Sequence, residues 1–270
     1  MKNSILIPLT GAVLFSLILA NHALADAPTA IAEVLATNAP APFCDTKPKD
    51  LDEQQRSGPA ATIEGRVTAH SGSFAASYGN AGFQLSDGTA GIFVLTERNL
   101  DFEDGDRVRV SGKPCIQSGT RALRSVEVTE LDDKGPVAFA PRQIGQFEKR
   151  PEIQGSPEVV SNWCNCSAPA SATEGLVITV RGTAVADLEQ DGAFGYKLFL
   201  DDGTGVGQIF IDAQSGIPAE ELAEEVLREG NDLCATGVIA RFAGVGFELL
   251  PRTSDDLREA RPDRENPCRD

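Results

Sequence analysis

The sequence predicts an all-β protein built from two tandem five-stranded barrels. The string Q-L-S-D-G-T-A-G-I-F-V at residues 84–94 nearly returns as F-L-D-D-G-T-G-V-G-Q-I-F-I at residues 199–211. The segments on either side of this string also return, in the same order. Apolar residues alternate within each segment, as they do in half-buried strands. We therefore expect one small β-unit to occur twice in the chain.

The first 25 residues have the order of a secretory signal peptide. Lys2 precedes an apolar run at residues 5–20, and Ala-Leu-Ala at residues 23–25 stands before Asp26. The run is shorter than the roughly 20 apolar residues that a membrane-spanning helix needs. We expect the mature chain to begin near Asp26, to lack membrane insertion once the signal is removed, and to be periplasmic or secreted.

The chain is strongly acidic, with 24 Lys and Arg against 40 Asp and Glu and a formal net charge of −16. Loss of the signal peptide removes Lys2 and brings the charge to −17. Polyphosphate is repelled by such a chain at long range. This disfavours an unspecific nucleic-acid coat protein or a binder of anionic membranes. A local basic patch could still bind an anionic ligand.

The first copy, module 1, is assigned to residues 61–131. Asp87-Gly88 supplies the positive φ of a tight turn between its second and third strands. The slot at residues 96–105 predicts a single turn or an irregular loop. The strand segments are I-E-G-R-V at 63–67, G-F-Q-L-S at 82–86, G-I-F-V at 91–94, D-R-V-R-V-S-G at 106–112 and residues 123–131.

The second copy, module 2, is assigned to residues 174–257. Asp202-Gly203 repeats the hairpin turn. An amphipathic helix is predicted at residues 218–230, with three apolar residues on one face and Gly230 as its stop. The strand segments are V-R-G-T-A at 180–184, Y-K-L-F-L at 196–200, I-F-I at 209–211, N-D-L-C-A-T-G at 231–237 and G-F-E-L-L at 246–250.

Five short strands, with a helix between the third and fourth that is clearest in module 2, describe an OB-fold Greek-key barrel. The sequence therefore predicts two OB-folds in tandem. The other segments are a signal peptide at 1–25, a leader at 26–60, a connector at 132–173 and a charged tail at 258–270.

The string F-Q-L-S-D-G-T-A-G-I-F-V, followed by G-D-R-V-R-V-S-G, resembles the OB-fold module of secreted bacterial endonucleases. Module 2 also resembles the small periplasmic bacterial OB-fold proteins. In the secreted nucleases this module is an accessory to a separate cutting domain, and the resemblance implies contact with nucleic acid. No catalytic domain of that kind is visible in this sequence, so the resemblance implies a fold more than an activity.

Six cysteines in an exported chain predict up to three disulfides. They are Cys44, Cys115, Cys164, Cys166, Cys234 and Cys268. One economical scheme joins Cys44 to Cys115, joins Cys234 to one member of the close pair at 164 and 166, and joins the other member to Cys268. Fifteen pairings are possible in principle, and the others stay open.

The sequence is poor in catalytic and metal-binding groups, and we expect neither enzymatic activity nor a cofactor or metal. His70 is the only mature histidine and is expected in an exposed loop. The segment 187–192 begins like a calcium loop, but Leu198 occupies the position where a bidentate Glu is needed. A divalent-metal nuclease acting through carboxylates is the remaining enzymatic alternative.

Charge favours module 1 as the place for an anionic ligand. Module 1 has seven basic and nine acidic residues, whereas module 2 has five and 16. An OB-fold binds single strands by placing the backbone along cations and stacking bases on rings. The candidate ligand-binding residues are Arg107, Arg109, Lys113, Arg121, Arg124, Tyr78, Phe83 and Phe93. A plain alternative is that the arginines are a solvated strand face and the phenylalanines are core.

These observations leave two functions of different classes. The first is an exported non-enzymatic binding protein whose ligand is single-stranded nucleic acid or another anion at module 1. The second is a cell-envelope protein whose barrels contact another protein. A basic partner for acidic module 2 would fit the second function.

Overall fold

The computed structural model describes residues 27–36, 44, 60–74, 81–117, 120–137, 140–141, 175–242, 246–265 and 267–268. Within these ranges the chain forms thirteen β-strands and two short α-helices, which confirms the all-β fold class. Among the described residues, neither helix is long and apolar enough to cross a bilayer. The predicted signal peptide and most of the connector lie outside these ranges.

Module 1 is a closed barrel. Its strands pair in the cyclic order β1-β2-β3-β5-β4, with a parallel contact between β3 and β5 and antiparallel contacts elsewhere. This Greek-key order is that of an OB-fold. The strands are β1 Ala61–Ala69, β2 Ala81–Ser86, β3 Gly91–Thr96, β4 Asp106–Gln117 and β5 Thr120–Lys134.

Module 2 repeats this order. The strands β7-β9-β10-β12-β11 pair in sequence, and β11 returns to β7, with the parallel contact now between β10 and β12. Three short strands extend the sheet: β6 along β7, β8 along β9, and β13 along β11. The strands are β6 Ala140–Pro141, β7 Val177–Ala184, β8 Glu189–Gln190, β9 Gly195–Asp201, β10 Val206–Asp212, β11 Asp232–Phe242, β12 Gly246–Leu250 and β13 Leu257–Glu259.

The repeated D-G-T string forms the same turn in both modules. The Asp87 carboxylate accepts hydrogen bonds from the Thr89 backbone N–H at 2.8 Å and hydroxyl at 2.6 Å. In module 2, Asp202 accepts the corresponding bonds from Thr204 at 2.9 and 2.6 Å. The glycine between them has a φ of 85° at Gly88 and 81° at Gly203, which favours glycine. The D-G-T string is therefore repeated in the sequence because each barrel contains the same turn.

The leader contributes to the core of module 1. Helix α1 (Ile31–Ala36) buries Ile31, Val34 and Leu35 against the barrel core. The carboxylate of Asp87 accepts a 2.8 Å hydrogen bond from the Ile31 backbone N–H. This helix was not predicted, and no helix forms in the described slot between β3 and β4, where a single turn or an irregular loop was expected.

Helix α2 lies between β10 and β11, as predicted, but spans only Ala219–Glu225. The chain turns after Val226, and the N–H groups of Val226 and Leu227 both bond to the Leu222 carbonyl. This turn buries Leu227 in the core of module 2, with Leu222 and Val226 packed beside it. The three predicted apolar residues thus face the core, although the helix ends at Glu225 and the turn after it brings Leu227 inward.

A disulfide joins Cys44 of the leader to Cys115 of β4, which confirms that predicted pair. The Cys44 N–H also donates to the carbonyl of Ile116 at 2.9 Å. The bond spans a sequence separation of 71 residues. Closing a loop of this length stabilises the fold by about 4 kcal/mol in the chain-entropy model.

The second disulfide joins Cys234 to Cys268, so the predicted bond from Cys234 to Cys164 or Cys166 is wrong. The tail explains the difference. Strand β13 pairs with β11 and places Arg258 opposite Cys234, and the chain then turns back to the same strand. Cys164 and Cys166 lie outside the described residues. Two disulfides are consistent with an oxidising compartment.

The two modules contact each other through an apolar cluster. Ala69 of module 1 packs with Val177 and Val238 of module 2, and all three are buried. The backbones also approach closely, since a Cβ added to Gly91 would lie 1.9 Å from the Gly175 carbonyl oxygen. Only glycine fits at this position of β3 without a shift of the backbone.

Arg252 crosses the contact between the modules and is only 6% exposed. Its guanidinium donates two 2.8 Å hydrogen bonds to Asp256 in module 2. It also donates at 2.8 Å to the Thr68 carbonyl and the Asp104 carboxylate in module 1. Burial acts to lower the pKa of Arg252, but the Asp256 and Asp104 carboxylates outweigh it and the pKa is raised. This charge therefore links the two barrels.

Candidate functional site

Two of the predicted cations of module 1, Arg107 and Arg109, are paired with acidic side chains. Arg107 and Arg109 lie on one face of β4, as expected, but both pair with Glu64 on the neighbouring strand. The Arg107 guanidinium is 3.0 Å from one Glu64 oxygen, and Arg109 Nε donates to the other at 2.6 Å. Arg107 also lies 3.5 Å from Asp133. Glu64 thus holds both arginines in place and reduces their attraction for an anion.

The other three predicted cations do not all join this face. Lys113 is exposed and lies opposite Arg124 across the β4–β5 ladder, on the same outer side as Arg109. Arg121 lies opposite Ile116. Since side chains alternate along a strand, Arg121 is on the other side from Arg124. The register therefore places four of the five predicted cations on the same side of module 1.

The predicted aromatic platform is not on the surface of module 1. Phe83 is fully buried in the barrel core and makes an edge-to-face contact with Phe102, with ring centroids 5.4 Å apart. Phe93 is 6% exposed and lies 5.5 Å from the Phe74 ring. Neither predicted ring is available for stacking in this conformation, and Tyr78 lies outside the described residues.

The outer face of β2 and β3, where OB-folds bind extended ligands, is covered in module 1. Phe93 and Leu95 form a small cluster there with Ala122 and the Cys44–Cys115 disulfide. Farther along, the side-chain amide of Gln84 donates to the backbone carbonyl of Gly175 in module 2 at 2.9 Å. All six residues of β3 are buried. The leader and module 2 therefore occupy this face.

The equivalent face of module 2 presents two rings. Core side chains of β9 and β10, such as Leu198 and Ile209, point inward, so the alternate residues point outward. The outward set includes Phe199 and Phe210, both half-buried. We define the outer face of module 2 by Lys197, Phe199, Gln208, Phe210 and Glu248. The described residues form no hydrophobic cluster over it comparable to the one on module 1.

Strand register places these five side chains in two rows. Phe199 lies opposite Gln208, and Lys197 lies opposite Phe210. The amide of Gln208 donates to the Glu248 carboxylate on β12 at 3.0 Å, so the first row is Phe199, Gln208 and Glu248. Residues at diagonal positions of neighbouring strands, such as Phe199 and Phe210, are about 7–8 Å apart, which is within reach of aromatic side chains. Both rings thus lie next to Gln208, which joins them to Glu248 on the neighbouring strand.

Glu248 is an unusual carboxyl group, because it is only 8% exposed on a strand face. Burial raises its pKa to about 7, against the hydrogen bond from Gln208 and the positive charge of Lys197. Asp212 and Asp191 also raise this pKa. A carboxyl group that titrates near neutral pH is a frequent feature of functional sites, although structural networks also produce it.

The loop beside this face, between β8 and β9, is held by charge and exposes a ring. Asp191 and Lys197 form an ion pair at 2.9 Å. Phe194 in the same loop is 75% exposed and is the exposed large hydrophobic residue among those described. The segment 187–192 was predicted as a turn rather than a calcium loop, and it contains β8. Loops at this position flank the ligand face of OB-folds.

His70 pairs with an acidic neighbour rather than with a nucleophile. Its Nδ1 lies 3.4 Å from the Asp104 carboxylate, and its side chain is 41% exposed. Asp104 in turn accepts a hydrogen bond from Arg252. In the described ranges, no group of three or more His, Cys, Asp or Glu converges on a metal position.

Sequence reasoning missed the outer face of module 2 because that module is acidic. The signal was present in Y-K-L-F-L and G-Q-I-F-I, where Phe199 and Phe210 occupy the alternate, outward positions. Glu248 could not be singled out, since G-F-E-L-L looks like any strand with one polar residue facing solvent. Its burial depends on the surrounding tertiary structure.

No protein-family model matches the chain, and a search of the curated proteins finds no match either. Among solved structures, a murine DNA-binding protein bound to double-stranded DNA is similar, with a TM-score of 0.36 and 11% identity over 75% of this chain and 100% of that chain. The single-stranded DNA-binding protein from Thermus aquaticus has a TM-score of 0.24 and 14% identity, over 76% and 95%. At such low TM-scores these similarities carry no argument about the ligand of this chain.

Proposed function

We propose that this chain is an exported, non-enzymatic binding protein whose ligand surface is the outer face of module 2. The observation that carries the proposal is the row Phe199, Gln208 and Glu248, with Phe210 diagonal to it. Ligand sites combine apolar and aromatic lining with a few placed polar groups, and this face has that composition. Export rests on the signal-like residues 1–25 and is supported by the two disulfides.

The contrast between the modules supports this choice. In module 1, the outer positions of β2 and β3 hold Gln84 and Phe93, which contact module 2 and the leader. In module 2, the hairpin positions that correspond to these hold Phe199 and Gln208. In module 1 the leader and module 2 therefore cover the face where a ligand would bind, whereas the rings on the corresponding face of module 2 are only half-buried.

Single-stranded nucleic acid on module 1 is the second candidate function. Arg107 and Arg109 carry it, since their side chains are 43% and 42% exposed on one face. Their pairing with Glu64 means that binding would have to compete with an existing ion pair. We expect weak binding that falls steeply with salt, because phosphate contacts release counterions.

Amide hydrogen exchange of the oxidised protein, with three probes added in turn, tests both functions. The probes are single-stranded oligonucleotides, neutral oligosaccharides and basic peptides. The first function requires protection of β9, β10 and β12 by at least one probe, lost in Phe199→Ala and retained in Arg107→Glu. Protection of β1 and β4 by oligonucleotides, lost in Arg107→Glu, would instead support the second. Absence of protection on β9, β10 and β12 with all three probes would refute the first.

A further inference from the structure

The charges around the outer face of module 2 determine which ligands it accepts. Lys197 is its cation, and Asp191 already neutralises it at 2.9 Å. Asp212 adds negative charge on the same side, close enough to Glu248 to raise the pKa of its carboxyl. Module 2 as a whole has five basic and 16 acidic residues. A phosphate chain would therefore be repelled from this face.

The polar pair on this face, Gln208 and Glu248, offers both hydrogen-bond donors and acceptors. Gln208 has an amide that donates and a carbonyl that accepts, and the Glu248 carboxylate has two accepting oxygens. They are joined at 3.0 Å, and Glu248 is nine-tenths buried, so their positions are fixed. Hydrogen bonds to groups of low solvent exposure are electrostatically stronger than those in water. Neighbouring hydroxyl groups, each a donor and an acceptor, match this pair.

The rings favour a ligand with flat C–H faces. Phe199 and Phe210 have no polar atom, and their π-faces carry partial negative charge that attracts C–H groups of positive polarity. Their diagonal placement supplies two contact points along one direction of the sheet. A sugar ring has C–H groups on its faces and hydroxyls on its rim. It can therefore use the rings and the polar pair at the same time.

Resting on the function proposed above, we infer that the outer face of module 2 binds a neutral oligosaccharide. Sugar rings lie over Phe199 and Phe210, and hydroxyls on the side facing β12 donate to Glu248 and accept from the Gln208 amide. OB-folds do bind oligosaccharides on this side of the barrel.

Isothermal titration calorimetry of the oxidised protein tests the inference. The probes are soluble neutral oligosaccharides of the β-glucan, chitin and α-glucan types, titrated separately. We expect saturable binding of at least one type, weakened about tenfold by Phe199→Ala, which is the effect of about 1.4 kcal/mol. Glu248→Gln, which keeps the shape of the side chain, should weaken it to a similar degree. Exposed Glu224→Gln on α2 is the matched control and should leave affinity unchanged.

The outcomes separate this inference from the proposed function. Failure of all the oligosaccharides to bind, with oligonucleotides or basic peptides protecting β9, β10 and β12, would overturn the inference and leave the function standing. Failure of every probe class at that face would overturn both. Oligosaccharide binding that is unaffected by Phe199→Ala and Glu248→Gln would place the sugar elsewhere and also overturn the inference.

Discussion

Replacing Glu248 with Gln should raise the stability of the protein at neutral and alkaline pH. In the wild type, burial raises the pKa of the Glu248 carboxyl to about 7, from 4.5. The folded state therefore binds more protons than the unfolded state between about pH 4.5 and 7. Stability then falls as the pH rises through this window, because the carboxylate must be charged in a buried position.

The magnitude follows from the two pKa values of Glu248. A rise from 4.5 to about 7 corresponds to about 3 kcal/mol of lost stability once the pH is well above 7. Glu248→Gln removes the charge and keeps a side chain that can bond to Gln208. We expect the variant to exceed the wild type by up to about 3 kcal/mol at pH 8 and to differ little at pH 4.

Urea unfolding at a series of pH values measures this difference. The control is Glu224→Gln, which removes one exposed carboxylate from α2 and should leave the pH profile of the wild type unchanged. The reasoning would be refuted if Glu248→Gln and Glu224→Gln had the same profile. Carbon-13 NMR titration of the Glu248 carboxyl gives a direct second measurement of its pKa.

Two further predictions concern the contacts that hold the modules and the leader. Arg252→Met leaves Asp256 buried without its partner, so we expect the free energy of unfolding in urea to fall by about 3–5 kcal/mol. The exposed control Arg228→Met should change it little. A fall of less than about 1 kcal/mol for Arg252→Met would contradict the role given to the buried charge. Replacing Cys44 and Cys115 with Ser should cost about 2–5 kcal/mol and increase binding of a hydrophobic dye, because the leader then uncovers Phe93. Unchanged dye binding would show that the leader stays in place without its disulfide.

The barrels could be predicted because their signals are local. Alternating apolar residues and the D-G-T turn depend on near neighbours, so strand positions and both hairpins follow from the sequence. One match of letters was misleading, however. Counted from the turn, the position of Phe93 corresponds to Gln208, and that of Leu95 corresponds to Phe210. The strings I-F-V and I-F-I are thus offset by two residues. Phe93 and Phe210 therefore both point outward, but they lie opposite different residues of the neighbouring strand.

The candidate site could not be predicted in the same way, because it depends on what covers each barrel. Arg107 and Arg109 stand out in the sequence, but their partner Glu64 lies on a strand more than 40 residues away. Phe93 occupies an outward position, yet the leader buries it through Cys44. Exposure of a strand face is decided by distant segments. The charge composition therefore indicated a ligand site on module 1, whereas the exposure of the outer strand face indicates one on module 2.

The buried contact between the modules has a consequence for dissecting the protein. A chain cut between the barrels would expose Val177 and Val238 to water and leave Arg252 without its acceptors in module 1. Each half would then expose apolar residues of the contact, and an isolated half could aggregate for reasons unrelated to its ligand. Point substitutions in the intact chain are therefore the sounder way to assign a role to each barrel.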